Sequence, residues 1–512
     1  MAEPALNNIS QISANQTTSD ESTNRDEPIS AIKKRRSKEL VLGLCGAVGS
    51  GVRELKEILQ QQLALKGYQV EHVRLSDLII NQQSDDDQKE LKSLSGYERY
   101  ERLQNLGDQL RKNKRSSHLA VLAIEDIATK RKYLEKNKVV NFTEDSPKIA
   151  YIINQIKHPD EVDLFKEVYR NNFYMLGLLR NEGERRANLL EEQMDEVQVS
   201  QLINRDRKDT EKYGQHVEKS LYQSDYFIRN IDDTGVLKDS VERFIHLIHG
   251  TEHITPSMDE TGIYSAYSAS LRSACLSRQV GSAITDDMGN ILATGCNDVP
   301  SFGGGLYNAQ SESDKRCFNN GRQCHNDKHK TLLRKEIQDI LTSSSVNDAE
   351  KIAEQIINNT KAKSLIEYSR AVHAEMDAIT SLARSSHSSS KDKIMYCTTY
   401  PCHVCARHIV AAGIKKVVYI EPYEKSLALQ LHGDAIAHPD GQSEVNKVLF
   451  VNFEGVSPLR YAKFFGYGQD RKDRSGKAIS YSILDAGHVD PQYLDSYKDY
   501  ELKVIQSLEP AE

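Results

Sequence analysis

The chain has 512 residues, 28% charged and 38% hydrophobic, with a formal net charge of −7, a length that one core cannot take up and that implies two domains. No apolar run approaches the ~20 residues of a membrane span, no hydrophobic signal-peptide core opens the chain, and the acidic balance argues against broad electrostatic capture of nucleic acid. Eight cysteines do not make a disulfide framework at this length, so a reducing cytoplasm is the expected compartment.

Residues 1–37 are rich in Asn, Ser, Thr and Gln, nearly free of aromatics, and end in Lys33-Lys34-Arg35-Arg36. Such a segment buries too little apolar area to offset the entropy of ordering, so a disordered tail is expected. Acidic residues just before the basic cluster favour a solvated tail over a grip on nucleic acid.

Glu39–Cys45 reads as an apolar strand running into Gly46-Ala47-Val48-Gly49-Ser50-Gly51. A helix follows, with Leu55, Ile58, Leu59 and Leu63 on one face. Strand, glycine-rich loop and helix together form the context of a phosphate cradle, which makes Gly46, Gly49, Ser50 and Gly51 candidate nucleotide-binding residues. Val52 and Arg53 stand where a P-loop carries Lys and Ser/Thr, so the cation for the phosphates and the hydroxyl for magnesium are both missing. The expectation is a module that binds a regulatory nucleotide, with or without Mg2+, and does not transfer phosphate. A scaffold without nucleotide and a working phosphotransferase are the alternatives; RNA is a second candidate regulator.

Further strands are expected at Tyr68–Leu75, Lys148–Asn154 and Phe173–Leu179, and helices at Tyr97–Lys112 and Ser116–Leu134. This alternation predicts a doubly wound parallel sheet over residues 38–250.

A second domain is expected over residues 251–490. Within it Ser301–Ile366 reads as an insertion carrying Cys317, Cys324, His325 and His329. These residues are either a second metal site or, as the spacing favours, part of a loop that shapes a pocket or makes an oligomer contact. Asp327–Leu341 reads as a helix with Leu332, Leu333, Ile337 and Ile340 turned inward.

Ser369–Leu382 reads as a helix bearing His373-Ala374-Glu375, and Lys393–Thr399 as a buried strand. Pro401-Cys402-His403-Val404-Cys405 then opens a helix that stops at Gly413. One imidazole and two thiolates fill three corners of a tetrahedral zinc site and leave the fourth for water. Glu375 is left free to move protons, and both cysteines sit at a helix N-terminus, which favours thiolate. A structural zinc knuckle would want a fourth protein ligand. Beyond the next strand, Tyr423 either flanks a bound base or lies on the surface. Val448–Phe453 is a further strand, and residues 491–512 read as a peripheral helix.

The segments LRSACLSRQVGSAI (Leu271–Ile284), ILATGCNDVP (Ile291–Pro300), the His-x-Glu helix and Thr398–Tyr419 resemble the deoxycytidylate deaminase family of the cytidine-deaminase superfamily. The resemblance runs from about Tyr264 to Ile420 and implies a cytidine-deaminase-like α/β/α sandwich. It implies one zinc ion on His373, Cys402 and Cys405, proton transfer by Glu375, Asn297 on the deoxyribose and Arg278 near the phosphate; Gly455–Phe465 resembles the family's C-terminal segment, which implies Arg460 on phosphates or a neighbouring subunit. The implied reaction is hydrolytic deamination of deoxycytidine mono- and triphosphates, in a homo-oligomer. The family's Gly-Tyr-Asn-Gly turn here reads Gly295-Cys296-Asn297-Asp298, so its last glycine is lost.

Ile149–Tyr169 and Ser224–Asn230 make the first half similar to P-loop nucleotide-kinase domains. The fusion of the two resembles bacterial anti-phage deoxycytidine nucleotide deaminases, which implies depletion of the dCTP pool in defence. The alternative is a deaminase acting on cytosine or adenine in single-stranded nucleic acid; the acidic charge and the absence of Trp for base stacking favour free nucleotides.

Overall fold

A computed structural model describes residues 32–33, 35–137, 139, 147–180, 182–207, 213–229, 233–385, 389–421, 426–439, 446–466, 470–484 and 486–494. The protein is mixed α/β with two six-stranded sheets, each mostly parallel. No helix among the described residues is long and apolar enough to cross a membrane.

The first sheet contains β1 (Leu40–Gly46), β2 (Gln69–Arg74), β3 (Ile149–Asn154), β4 (Phe173–Leu179) and β5 (Tyr226–Arg229), in the order β5-β4-β1-β3-β2, all parallel. Every residue of β1 and β4 is buried, as strands covered on both faces must be. Alternation sends Leu40, Leu42 and Leu44 into one core with Tyr174 and Phe244, and Val41 and Cys45 into the other with Tyr151 and Phe165. The helices used below are α1 (Val52–Leu65), α2 (Gly96–Asn113), α3 (Glu182–Glu191), α4 (Glu196–Arg207) and α5 (Thr234–His249).

The second sheet contains β6 (Gly281–Thr285), β7 (Ile291–Cys296), β8 (Ile394–Thr399), β9 (Lys416–Glu421), β10 (Ile436–Ala437) and β11 (Val448–Asn452). Its order is β10-β11-β9-β8-β6-β7; β6 runs antiparallel to both neighbours and the remaining pairs are parallel. Helix α6 (Met258–Ser270) opens this half with a capping box: Ser257 accepts from the Glu260 N–H, and Glu260 accepts from the Ser257 N–H. The insertion folds into α7 (His325–Ser343) and α8 (Ala349–Asn359), and the core continues with α9 (Ala374–Arg384) and α10 (His403–Ala411).

Three sequence expectations are corrected here. Helix α7 forms, but none of its residues is buried, and Leu332 and Ile340 are 44% and 64% exposed; it packs against α8 and not into a core cluster. The boundary at residue 490 also shifts. Just past β11 the chain forms β12 (Gly455–Val456), which pairs antiparallel with β5 of the first sheet, and Phe464 and Ile483 join the core of Leu40 and Tyr174. Glu260, buried at this junction, accepts from the Val456 N–H at 2.8 Å and from both terminal nitrogens of Arg243. Arg460 is committed to the first sheet rather than to a phosphate: it donates to Asp225 and to the Phe173 carbonyl. The tail assigned to residues 1–37 lies outside the described residues up to 31, and the peripheral helix assigned to 491–512 from 495 onward; in between, Arg36 bridges to Tyr493.

The same returning segment places His488 beside Tyr68 and His249, all three buried. His249 donates from Nδ1 to the Ile245 carbonyl (2.7 Å), so its Nε2 accepts from the Tyr68 hydroxyl (2.8 Å), whose oxygen accepts from His488 Nε2 (3.1 Å). Burial, aided by the Lys148 charge, lowers His249 to about 4 and pushes His488 well below its usual range. A histidine whose folded pKa is depressed binds its proton only in the unfolded chain between the two pKa values, so its contribution is complete above about pH 6.5 and is lost as pH falls toward 4. For His249 the loss amounts to roughly 3 kcal/mol across that window. The melting temperature of the wild type is therefore expected to fall between pH 7 and pH 5 more steeply than that of His249→Gln. Parallel slopes would show that the triad does not titrate with unfolding.

Candidate active site

Helix α9 lies against β7, and Gly295 permits the approach: a Cβ there would overlap the Ala374 carbonyl and the Ala378 nitrogen. His373 is the N-cap of α9 and not a residue within it, because the chain before it is extended, with Val372 bridged to Asp298. Glu375 falls in the first turn of that helix. From the other side, Thr399 ends β8 and Cys402 caps α10, accepting from the Cys405 N–H. Gly413, at φ 74°, follows the end of α10 where the sequence places it.

These elements bring His373, Cys402 and Cys405 together. His373 Nδ1 lies 3.3 Å from the Cys402 sulfur and 3.4 Å from that of Cys405, and the three donor atoms lie within 4.8 Å of one another. Tetrahedral zinc with ordinary bond lengths sets N and S ligands about 3.5 Å apart, so the donor set and its spacing both fit a zinc ion. Cys402 is held well below the usual thiol range by the hydrogen bond from Cys405 and by the His373 imidazole, while the same bond pushes Cys405 up. The Cys402 sulfur in turn raises His373 to about 9, so metal binding displaces protons from the set.

Glu375 is buried, and burial raises its carboxyl. It lines a cavity of about 170 Å³ with His373, Cys402, Asn297, Arg278 and Tyr400. The insertion adds Cys324, Asn326, Asp327 and Ile366 to the wall. Among the described residues His373, Cys402 and Cys405 are the one set of three potential ligands in reach of a single ion, so Cys317, Cys324, His325 and His329 do not gather into a second site; Cys324 faces the cavity instead.

Asn297 accepts from the Val280 N–H at 2.7 Å and donates to the Arg278 carbonyl at 2.8 Å. It therefore fixes the segment before β6 and keeps one N–H and one lone pair for the cavity. Arg278 reaches Glu421 at 3.4 Å. Tyr423 lies outside the described residues.

Two carboxylates escaped the sequence reading. Asp377 accepts from the Cys296 N–H (3.1 Å), tying α9 to the Asn297 turn. Asp298, in the place of the lost glycine, accepts from the Ala274 and Val299 N–H groups and faces Arg316 of the insertion at 3.7 Å. The i+4 spacing of Asp377 from His373 was the one available signal.

In the first sheet the glycine-rich loop is not an open cradle. Gly46 ends β1, Gly49 and Gly51 take positive φ (79° and 82°), and Ser50 is buried with its hydroxyl unpartnered. A Cβ on Gly49 would meet the Arg185 carbonyl of α3 at 2.6 Å, and Asn188 donates to the Gly49 carbonyl. The Val48 N–H donates to Asp206 of α4, which also binds Lys157. A carboxylate of the chain itself thus sits on the loop, and α3 covers it.

Residues 256–421 match the family model of the cytidine and deoxycytidylate deaminase zinc-binding region. Over 166 residues the chain is 32% identical to the deoxycytidylate deaminase of enterobacteria phage T2, covering 32% of this chain and 81% of that one. The deoxycytidylate deaminase of enterobacteria phage T4 is 31% identical over 166 residues, 32% of this chain and 79% of its own. Among solved structures, the dCMP deaminase of cyanophage S-TIM5 in complex with dCMP and dUMP aligns at 20% identity over 39% of this chain and 99% of that chain, with a TM-score of 0.23, a value that supports no further comparison.

Proposed function

Since the chain belongs to the deoxycytidylate deaminase family, we propose that it hydrolyses the exocyclic amine of deoxycytidine mono- and triphosphates, giving deoxyuridine nucleotides and ammonia. The observation that carries this reading is the buried Glu375 carboxyl in one cavity with the His373 and Cys402 donors, beside which Cys405 completes the cluster. When bound there, zinc supplies Lewis acidity that makes hydroxide available near neutral pH. Glu375 accepts the proton of the attacking water, passes it to ring N3, and delivers a second to the departing amine as C4–N breaks and C4=O forms. Its raised pKa suits a group that must both take and return a proton. Asn297 and Arg278 orient sugar and phosphate in this reading, and Tyr423 flanks the base.

Residues 38–250 are proposed as a kinase-like regulatory module that binds a nucleotide, through or beside Gly46, Gly49, Ser50 and Gly51, without transferring phosphate. The missing Lys and hydroxyl at Val52 and Arg53 and the doubly wound parallel sheet support this. Exposed Phe302, Phe318 and Ile340 on the insertion support a homo-oligomer. Depletion of the dCTP pool during phage infection, in the cytoplasm, completes the proposal.

The test is to follow ammonia and uracil products from purified protein given dCMP, dCTP, CTP and a cytosine-containing oligonucleotide. Turnover of the deoxynucleotides and not of the oligonucleotide is expected. Conversion of the oligonucleotide with free nucleotides untouched would move the activity to single-stranded nucleic acid.

A further inference from the structure

A cavity of about 840 Å³, several times the volume of the one at the deaminase site, lies in the first half. It opens outside the carboxyl ends of β2 and β3, where Arg74 and Asn154 end their strands, and is walled by the start of α1 and by α2. Open parallel sheets present ligands in such a crevice, and the volume falls in the range of small-molecule sites. The glycine-rich loop does not line it.

Its lining combines basic and apolar side chains. Arg53, Lys56, Arg74, Arg99, Arg111 and Lys157 face it against Glu57 and Glu192. Some of these cations are already matched: Arg111 by Asp108 and Glu161, Lys157 by Asp206, Arg53 by Glu57. Lys56 has no carboxylate partner among the described residues, and Arg99 has only the Leu91 carbonyl. Leu75, Ile79, Leu103 and the Tyr100 ring supply flat apolar surface beside them. Also in the lining, the side-chain oxygens of Gln104 and Asn154 are buried without a hydrogen-bond partner, and Gln155 is held at φ 61°, a conformation that non-glycine residues reach at a cost. Uncompensated cations, an aromatic face and unpaired amide oxygens together match an anion attached to a planar, hydrogen-bond-donating group.

We propose that this cavity, and not the glycine-rich loop, is the ligand site of the first half, and that its ligand is a nucleoside phosphate. Lys56 and Arg99 take the phosphate, Tyr100 and Leu103 the base. The inference rests on the reading of residues 38–250 as a nucleotide-binding module and is independent of the deaminase chemistry.

The sequence contains no Trp, so Tyr100→Trp places the sole indole of this chain in the cavity. Titration with dATP, dTTP and ATP is expected to change its emission saturably, and Lys56→Ala with Arg99→Ala in that background to weaken binding at least tenfold, with zinc content and basal deamination unchanged. Equal binding of inorganic triphosphate, or a response to an oligoribonucleotide alone, overturns the assignment. The unsubstituted protein and its Lys56→Ala/Arg99→Ala variant are titrated by calorimetry in parallel, which removes dependence on the Tyr100 replacement. Heats that survive unchanged in the double variant place the nucleotide elsewhere; no heat in either protein removes the nucleotide-binding module itself. Neither result touches the deamination assay.

Discussion

Glu375→Ala is expected to lower deamination about a thousandfold, the scale of a lost general acid–base group, while zinc stays stoichiometric. The carboxyl lines the cavity but is not one of the three clustered donors, so its removal takes away the proton path and leaves the metal ligands in place. Cys402→Ala should instead lose metal and activity together, because it deletes both a ligand and the cap of α10. Metal analysis beside a single-turnover assay separates the two. Zinc loss from Glu375→Ala, or turnover within tenfold of wild type, would sink the assignment of roles.

Gly295→Ala, which adds one methyl group at a distance from any reacting atom, should be nearly as damaging. Its Cβ would overlap the backbone of α9 at Ala374 and Ala378, the helix that begins at His373 and carries Glu375. Backbone cannot rotate aside as a side chain can, so the helix must shift. Overpacking of this kind costs about 1–3 kcal/mol or more, and a displacement of about 1 Å at a catalytic group costs on the order of a hundredfold in rate. The variant should melt several degrees lower and bind zinc more weakly. A variant with native melting temperature and native kcat would mean that α9 and β7 part without consequence.

The sequence revealed what depends on local pattern. Strands β1, β3 and β4 could be read to within a residue because burial on both faces forces continuous apolar runs such as Leu40–Gly46, whereas the four-residue β5 was not read as a strand. His373, Glu375, Cys402 and Cys405 could be read because coordination chemistry fixes residue type and spacing together. What escaped depends on distant pairing. Asp206 reaches Val48 across 158 residues, and nothing near either residue announces the contact. Asp377 looked like an ordinary polar residue of an amphipathic helix until Cys296 was placed against it. The apolar positions of α7 have helical spacing, but periodicity reports a stripe and not what covers it. The two-residue strand β12 is too short for any alternation to appear.

That short strand decides how separable the halves are. Only Phe453 and Glu454 stand between β11 in one sheet and β12 in the other, so the two sheets are joined by a tether of about 10 Å at most. Phe453 packs against Phe227, and the Val456 N–H is held by Glu260. A tether this short, pinned at both ends, leaves no slack for one half to swivel while the other stays still. Excising residues 1–250 would strip β12 of β5, its one partner strand among the described residues, and remove the core that covers Val456 and Phe464. The halves should therefore melt as one cooperative unit, and a protease should find no productive cut between them until both have opened.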